Sequence, residues 1–500
     1  MRTWGPLTAV CLGTFMLLLD VTIVIVALPD MAGALDASLS DLQWVMDGYA
    51  LALAALLLGT GAAADVLGRR RTHVAGVALF AVASLLCGLA SGPAVLVAAR
   101  VAQGLGAAAM LATTLPLLGS VYQGRQRSVA LGVWGAVSGA AAAVGPVLGG
   151  LLTDGPGWRW IFYVNLPVSV AAVWLTLRAV PESKGAAGRR IDWAGTALFA
   201  GVAGAVTYGA VRAGADGWGD PGALAAFGLG AAALVCFVVV ELRSADPLLD
   251  PRLFLRPAFT GVMLGALAFT GAAFGLLPYT SIWLQTMLGM SPVGGGLVFL
   301  WLSLASFAVA AAGGRLLHGV PARFTVGGGL LLIGLGHFCM AFLDAGSTAS
   351  ALVPGLVLVG LGTGFTAPGI AGAALAAVPP ERSGMAGGAV NAFRQLGYAI
   401  AVAVFGTVLT SRMTGTLPRE AAHTLAGGGA DALRGAVGEQ ALRAAFASGL
   451  NTTAVVAGAV GVTAGLLVLA LVRPPRPRVA GVTDPAAAAL SEERSARASG

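Results

Sequence analysis

Residues 7–28 read LTAVCLGTFMLLLDVTIVIVAL, an apolar run in which Asp20 is the single charged side chain. An α-helix rises about 1.5 Å per residue, so a run of this length crosses the roughly 30 Å of hydrocarbon in a bilayer. Comparable apolar segments follow at 44–64, 73–91, 94–118, 129–153, 160–180, 193–212, 222–240, 258–284, 294–313, 325–343, 351–377, 387–411 and 449–472. Because open strand edges are excluded from lipid and no alternating barrel pattern occurs, the sequence predicts an all-α membrane protein with fourteen transmembrane helices.

The composition is that of a protein immersed in lipid. Of the 500 residues, 57% are hydrophobic and 10% are charged, whereas a soluble domain carries about 25% charged residues. The net charge of +7 would suit a nucleic-acid partner, but the basic residues lie in short loops between apolar segments, where they orient a membrane protein. We therefore expect no nucleic-acid binding.

The loop charges predict the orientation of the chain. If the N-terminus is cytoplasmic, the loops on that side hold Arg69, Arg70, Arg71, Arg125, Arg127, Lys184, Arg189, Arg190, Arg243, Arg252, Arg256, Arg315, Arg323 and Arg382. The short loops on the other side hold only Arg159 and Arg212. This asymmetry follows the positive-inside rule, so both termini are expected in the cytoplasm of a multi-pass protein.

Two segments depart from the short-loop pattern. An outer segment at 412–448, between the thirteenth and fourteenth spans, is rich in Gly and Ala and is expected to contain a short surface helix near 431–446. The tail at 476–500 is rich in Pro, Ala and Ser with alternating charge, which is typical of a disordered segment.

Several chemistries have no motif in this sequence. A P-loop needs Gly-Lys-Ser/Thr, but Lys184 is followed by Gly185, so we expect no ATP binding. The four histidines are isolated from one another, at His73, His318, His337 and His423, so no metal site is expected. No nucleophile elbow or Cys/His signature occurs. We therefore predict a protein that is not an enzyme and uses no cofactor.

Charged groups inside the predicted spans are the main functional candidates. The acidic residues other than Asp20 are assigned to loops or helix ends, whereas Asp20 lies near the middle of the first span. Arg100 lies in the fourth span, and Arg394 lies in the thirteenth. Asp20 and Arg100 lie about 12 and 9 Å from the outer ends of their helices, so they could share one cavity. Movement of the carboxylate between an apolar environment and Arg100 would bind and release a proton. The alternative is a static structural ion pair.

Motifs in the first half of the chain resemble those of a known family. LDVT at 19–22 with ALP at 27–29, and Gln43-Trp44 with Tyr49, resemble its first and second helices. The stretches GAAADVLGRRR at 61–71, RVAQGLGAA at 100–108 and GPVLGG at 145–150 resemble its signature loop, fourth-helix motif and fifth-helix motif. The most specific match is WRWIFYVNLP at 158–167. Over residues 7–472 the chain resembles the major facilitator superfamily, in particular its fourteen-helix branch of drug:proton antiporters.

The resemblance implies roles for individual residues. Asp20 and Arg100 would carry proton coupling, and the signature-loop residues Gly61, Asp65, Gly68, Arg69 and Arg70 would act in gating. The basic residue that the family places after the Asp is Val66 here, so a gating salt bridge must use Arg69 or Arg70; the other interpretation of this loop is a topology signal alone. The fifth-helix antiporter motif comprises Gly139, Gly145, Pro146, Gly149 and Gly150. Further motif positions are Thr22, Trp44, Tyr49, Gln103, Gly104, Trp158, Arg159, Asn165, Pro167, Asn391 and Arg394.

The resemblance also implies an architecture and a function. The expected fold has an N-terminal six-helix bundle at 1–185, an inserted helix pair at 186–245 and a C-terminal six-helix bundle at 246–475. The expected activity is proton-coupled export of small amphipathic drugs or antibiotics across the bacterial cytoplasmic membrane, by a monomer. Its expected partners are the solute, protons and the lipid bilayer. The alternatives are export of an endogenous metabolite, proton-coupled import, or a membrane receptor that transports nothing.

Overall fold

A computed structural model describes residues 4–184, 192–245, 247–316, 320–378 and 383–472. Inside these ranges the structure does not describe the side chains of a further set of residues: 124, 125, 127, 128, 131, 132, 135, 136, 138, 139, 142, 143, 311, 313–316, 375, 383 and 384. Most of the described residues are helical, and none of them forms a β-strand. The predicted domain boundaries at 185 and 246 and the predicted tail at 476–500 fall outside the described residues.

The first half of the chain folds into a bundle of long helices. Its helices are α1 (Gly5–Leu35), α2 (Leu39–Leu67), α3 (Arg69–Gly88), α4 (Pro93–Val121), α5 (Gly124–Asp154), α6 (Trp160–Tyr163) and α7 (Asn165–Ala179). The sixth predicted span is formed by α6 and α7 in succession.

The inserted pair and the second bundle follow. The pair is α8 (Trp193–Asp216) and α9 (Pro221–Arg243). The second bundle contains α10 (Pro257–Phe274), α11 (Leu277–Ile282), α12 (Pro292–Leu316), α13 (Ala322–Cys339), α14 (Val353–Ala376), α15 (Ser383–Met413), α16 (Arg419–Ala426), α17 (Ala430–Leu433) and α18 (Glu439–Leu471).

The predicted spans coincide with these helices. Among the described residues, thirteen helices are long and apolar enough to cross a membrane. The remaining predicted span, 129–153, lies within α5, part of whose side chains lies outside the description. The protein is therefore an all-α, multi-pass membrane protein, and the prediction of fourteen spans is consistent with this set of helices.

The helix ends add detail to the predicted segments. The predicted span at 258–284 lies within one candidate membrane span, Pro257–Met287. Its helix is interrupted after Phe274, and Pro278, which has no backbone N–H to donate, lies in the first turn of the next helix. The surface helix predicted near 431–446 is instead split between α17 and the beginning of α18. The last helix starts at Glu439, before the predicted apolar span at 449–472, and an ion pair between Glu439 and Arg443 lies across its first turn.

Local capping sets the start of α2 and thereby the depth of its polar residues. The Ser38 hydroxyl accepts a hydrogen bond from the Asp41 backbone N–H at 3.2 Å, and the Asp41 carboxylate accepts one from the Ser38 backbone N–H at 2.9 Å. This capping box satisfies two backbone donors that the helix leaves without partners. Gln43 and Asp47 consequently lie inside the helix rather than in the preceding loop.

The two bundles meet along a small number of helices. In each half the helices pack mainly on one another, while α2 packs against α15 and α5 packs against α12 across the junction. Helix α8 of the inserted pair contacts both α2 and α15, and α9 packs on α8. The inserted pair therefore lies beside the junction between the two bundles.

Candidate functional site

The centre of the first bundle holds a buried ion pair between α1 and α4. Asp20 is fully buried, and Arg100 is 2% exposed. A terminal guanidinium nitrogen of Arg100 donates a hydrogen bond to Oδ2 of Asp20 at 2.5 Å. The structure thus brings together the two charges that the sequence placed at similar depth.

Amide side chains complete the shell around the Asp20 carboxylate. Nε2 of Gln103 and Nδ2 of Asn165 donate to its Oδ1 at 2.8 and 3.0 Å. Both amides also donate to the hydroxyl of Ser84 on α3, at 2.7 and 3.3 Å. The motifs had singled out Gln103 and Asn165, whereas Ser84 was missed, since a serine in an apolar helix carries no signal of its own. Four helices therefore contribute to one polar network.

Arg100 makes hydrogen bonds and a cation–π contact in addition to its ion pair with Asp20. Its Nε donates to the Val45 carbonyl of α2 at 3.0 Å, and a terminal nitrogen donates to Oε1 of Gln103 at 2.6 Å. The guanidinium lies above the Tyr49 ring, 4.3 Å from its centroid. A buried ion pair is tolerated only when its remaining hydrogen-bonding capacity is satisfied. Asp20 accepts three hydrogen bonds here and Arg100 donates three, so both members of the pair have partners besides each other.

The signature loop joins the start of α3 to the chain that follows α7. Nε of Arg69 donates to the Asp65 carboxylate at 3.0 Å, so Arg69 rather than Arg70 is its partner in this conformation. The backbone N–H groups of Arg70 and Arg71 donate to the Glu182 carboxylate at 2.9 and 3.2 Å. Sequence reasoning missed Glu182, which caps α3 from more than a hundred residues away.

Glycines in the signature loop serve different purposes. Gly68 has φ +117°, and a Cβ there would lie 2.8 Å from the Glu182 carboxyl group. Gly68 therefore provides both the turn and the space for Glu182. Gly61 has more room, because the nearest atom to a Cβ at that position is Cβ of Ala112, at 3.8 Å.

The fifth-helix motif forms the contact of α5 with both halves. A Cβ on Gly145 would overlap Oγ1 of Thr22, and one on Gly149 would lie 2.7 Å from the Ile23 carbonyl oxygen. On the opposite side, a Cβ on Gly150 would lie 2.6 Å from Cα of Val293 at the start of α12. Pro146 is buried beside these contacts, next to Gly296, and Gly139 lies among the positions whose side chains are not described.

The remaining motif positions are dispersed. In the first half, the Trp44 ring lies 6.3 Å from that of Tyr208 on α8, and a Cβ on Gly104 would overlap the Tyr49 carbonyl. Arg159 stacks over Trp158 at 4.4 Å and donates to the Ala90 carbonyl at 3.3 Å, while Pro167 is exposed.

The second-half positions lie apart from the Asp20 network. Asn391 donates to the Gly387 carbonyl of its own helix at 3.2 Å. Arg394 contacts the Thr270 hydroxyl at 3.3 Å and lies 5.1 Å from the centroid of the Phe269 ring. Among the described residues the structure gives Arg394 no carboxylate partner.

A second buried carboxylate contradicts one sequence assignment. Asp47 had been assigned to a helix end, but α2 begins at Leu39 and the Asp47 side chain is fully buried. The error came from starting the predicted span at residue 44. The available signal was the i, i+4 spacing of Gln43 and Asp47, which places two polar groups on one face of α2.

A set of hydrogen bonds between Gln43, Tyr279 and Val402, here called the clasp, joins the two halves close to Asp47. Nε2 of Gln43 donates to the Tyr279 hydroxyl at 2.9 Å, and this hydroxyl donates to the Val402 carbonyl of α15 at 2.5 Å. Nearby, Nε2 of Gln285 donates to the Val26 carbonyl of α1 at 2.8 Å. These contacts lie at the end of the bundles opposite to the signature loop, where the arginine-poor short loops are found.

Two helical bundles that meet along a narrow junction, with an acid–base network buried inside one of them, define a membrane carrier protein. The Major Facilitator Superfamily model matches residues 10–402. The chain belongs to that superfamily.

Curated relatives include several resistance proteins of bacteria. The chain is 38% identical to the multidrug resistance protein Stp of Mycobacterium tuberculosis, over 82% of this chain and 76% of that one. It is 38% identical to the puromycin resistance protein pur8 of Streptomyces alboniger, with 82% of each chain covered. Identity to the tetracenomycin C resistance and export protein of Streptomyces glaucescens is 34%, over 83% and 78% of the two chains.

Solved structures show the same fold at low sequence identity. A bacterial homologue of the human lysosomal transporter Spinster, in an inward-facing and unoccupied conformation, matches with a TM-score of 0.63 at 17% identity, over 94% of this chain and 97% of that one. The human organic anion transporter MFSD10 matches with a TM-score of 0.61 at 16% identity, over 94% and 100% of the two chains.

Proposed function

We propose that this protein exports small amphipathic compounds of the drug or antibiotic type in exchange for protons, by alternating access across the bacterial cytoplasmic membrane. Membership of the superfamily and the names of the resistance and export relatives support export of a small molecule. The single observation that carries proton exchange is the fully buried Asp20 carboxylate, which is held by one charged and two amide donors.

Protonation of Asp20 changes the balance of this network. A neutral carboxyl group loses most of its attraction for Arg100, and a charge-assisted hydrogen bond becomes an ordinary one, which is roughly half as strong. Because Asp20 is on α1, Arg100 and Gln103 are on α4, and Asn165 is on α7, the packing of these three helices depends on the charge of Asp20. Binding of a proton therefore favours a different arrangement of the helices from that favoured by its release.

In the proposed cycle Asp20 takes up a proton on the outer side as the solute leaves and releases it on the inner side. The arginine-rich loops, including the signature loop with Asp65 and Arg69, face the cytoplasm, as do both termini. The α5 contacts with α1 and α12 restrict leakage between the bundles. The protein acts as a monomer and draws its energy from the proton gradient, without ATP or a cofactor.

The first prediction tests this cycle with Asp20→Asn, which retains shape but removes the titratable proton. We expect the variant to insert and fold, and to lose gradient-driven export almost completely. The measurement is the release of a panel of antibiotics from proteoliposomes under an imposed pH gradient. The matched control is Asp36→Asn, because Asp36 is an exposed carboxylate at the end of the same helix and has φ +49°, which Asn tolerates.

Undiminished gradient-driven export by Asp20→Asn would refute the coupling role of Asp20. Flux of the wild-type protein that does not respond to the pH gradient would refute proton exchange altogether. Flux in the opposite direction would establish import. Binding without any flux would establish a receptor.

A further inference from the structure

Asp47 on α2 is a buried carboxylate that the Asp20 network does not use. Its side chain is fully buried, and both of its oxygens lack a hydrogen-bond partner within the described part of the chain. The nearby hydroxyls of Tyr49 and Tyr398 are likewise buried without a partner there. The group is therefore enclosed by protein and receives none of the hydrogen bonds that Asp20 receives.

The position of Asp47 relates it to the junction between the two halves. It lies one helical turn after Gln43, which takes part in the clasp with Tyr279 and Val402. Asp47 lies within electrostatic range of Tyr279 of α11 and Tyr398 of α15, both in the second half of the protein. Since α2 packs directly on α15, the carboxyl group is enclosed by the contact that the two halves make.

The charge state of Asp47 follows from this environment. An ionised carboxylate without partners in an apolar interior costs so much free energy that the group binds a proton instead. Arg100, the buried arginine of the first bundle, directs its hydrogen bonds to Asp20, Gln103 and the Val45 carbonyl rather than to Asp47. The other titratable groups near this region of the described chain are the phenols of Tyr49, Tyr279 and Tyr398, which supply no positive charge, and the imidazole of His423 on α16, which lines a cavity beside Gln43 rather than Asp47. We therefore expect Asp47 to be neutral while the halves are closed.

We propose that Asp47 is a second proton-binding site, which locks the junction between α2 and α15: the junction closes when Asp47 is protonated and opens when it ionises. Separation of the two helices admits water to the carboxyl group, and water stabilises the ionised form. Closure then requires a proton from the side to which the junction opened. This proposal rests on alternating access as proposed above, and it assigns a second proton to the step that closes the outer end.

The test measures the opening of the junction independently of transport. Spin labels are placed at Ala34 and Ser411, which are exposed and lie at the clasped end in the first and second halves. The four native cysteines, Cys11, Cys87, Cys236 and Cys339, are replaced by alanine so that only the introduced sites react. Electron–electron distance distributions are then recorded in nanodiscs between pH 5 and pH 9 for the otherwise native chain and for Asp47→Asn.

We expect the long-distance population of the native chain to increase with pH, because Asp47 ionises and holds the junction open. Asp47→Asn should remain at the short distance throughout and lose most of this response. Asp47→Leu, in which an apolar side chain fills the same space, should behave in the same way and replaces Asp47→Asn if the amide variant does not fold. The control Asp36→Asn should retain the native response.

An unchanged pH response in Asp47→Asn overturns the proposal, and so does a native chain whose label distance does not depend on pH. Asp20→Asn should retain the response in the label distance although it no longer couples flux to the gradient. If export proves independent of protons while the label distance still responds through Asp47, the proposed antiport fails and the lock stands. If export depends on protons but the label distance does not respond through Asp47, the lock is rejected and the proposed antiport is retained.

Discussion

Arg100 shows how closely the chemistry of one side chain is matched to its surroundings. One terminal nitrogen of the guanidinium donates to both Asp20 and Gln103, and Nε donates to the Val45 carbonyl, while the face of the group covers the Tyr49 ring. A lysine ammonium carries three donors on one atom and has no planar face, so it cannot reproduce this set of contacts.

Arg100→Lys therefore provides the second residue-scale prediction. We expect a protein that inserts normally but exports at a rate reduced about tenfold or more, equivalent to the loss of at least about 1.4 kcal/mol of favourable interaction. The readout is the initial rate of gradient-driven efflux. The matched control is Arg178→Lys, since Arg178 also stacks on an aromatic ring, Trp174, but is exposed. Equal rates for the two variants would show that the positive charge alone is sufficient at position 100.

At the scale of helices, the approach of α5 to α1 depends on the absence of side-chain atoms. A Cβ on Gly149 would lie 2.7 Å from the Ile23 carbonyl oxygen, and a backbone atom cannot move aside as a flexible side chain can. We expect Gly149→Ala to destabilise the protein by about 1–3 kcal/mol, the typical cost of overpacking, and to impair transport. Thermal unfolding in detergent is the measurement.

Gly33→Ala on α1 is the control for this substitution. A Cβ at that position meets nothing within 4 Å, so the change should leave stability unaltered or raise it by about 0.5–1 kcal/mol through the better helix propensity of Ala. If Gly149→Ala were as stable as Gly33→Ala, the two helices would have room to separate, and the tight contact would not be a requirement of the fold.

At the scale of the whole molecule, closure of the two halves involves a small number of polar contacts. The Tyr279 hydroxyl accepts from Gln43 of the first bundle and donates to the Val402 carbonyl of the second. Tyr279→Phe removes the hydrogen bond from Gln43 that crosses the junction, at a net cost of about 0.5–1.5 kcal/mol, together with the bond to Val402 inside the second half. We expect the open population at this end to rise about fivefold or more, as measured with the Ala34–Ser411 label pair at neutral pH.

Tyr163→Phe is the matched control, because the Tyr163 hydroxyl donates to the Gly88 carbonyl at 2.8 Å inside the first bundle. It loses a similar hydrogen bond without affecting the junction, so its label distances should remain native. A change of equal size in both variants would mean that general destabilisation, rather than the clasp, controls opening.

Most of the architecture could be predicted from the sequence because the composition of each segment decides by itself whether that segment crosses the membrane. Each apolar run must be helical and long enough to span the bilayer, so the helices and their order were predicted from hydropathy alone. The depth of Asp20 and Arg100 followed from counting residues along their helices, and the structure places them 2.5 Å apart. Departures occurred where a proline or a capping interaction moved a helix end, as at Pro278 and Ser38.

The partners of the buried polar groups were decided only by the tertiary structure. Ser84 and Glu182 carry no local signal, because their importance depends on the rotation of each helix about its axis and on which distant segment lies opposite. The i, i+4 spacing of Gln43 and Asp47 indicates a shared face of α2, but not what packs against it. Gln43 and Tyr279 are 236 residues apart in the chain and meet only when the halves close. Composition along a segment determines whether it enters the membrane. The mutual packing of segments determines which carboxylate gains an arginine and which remains without a partner.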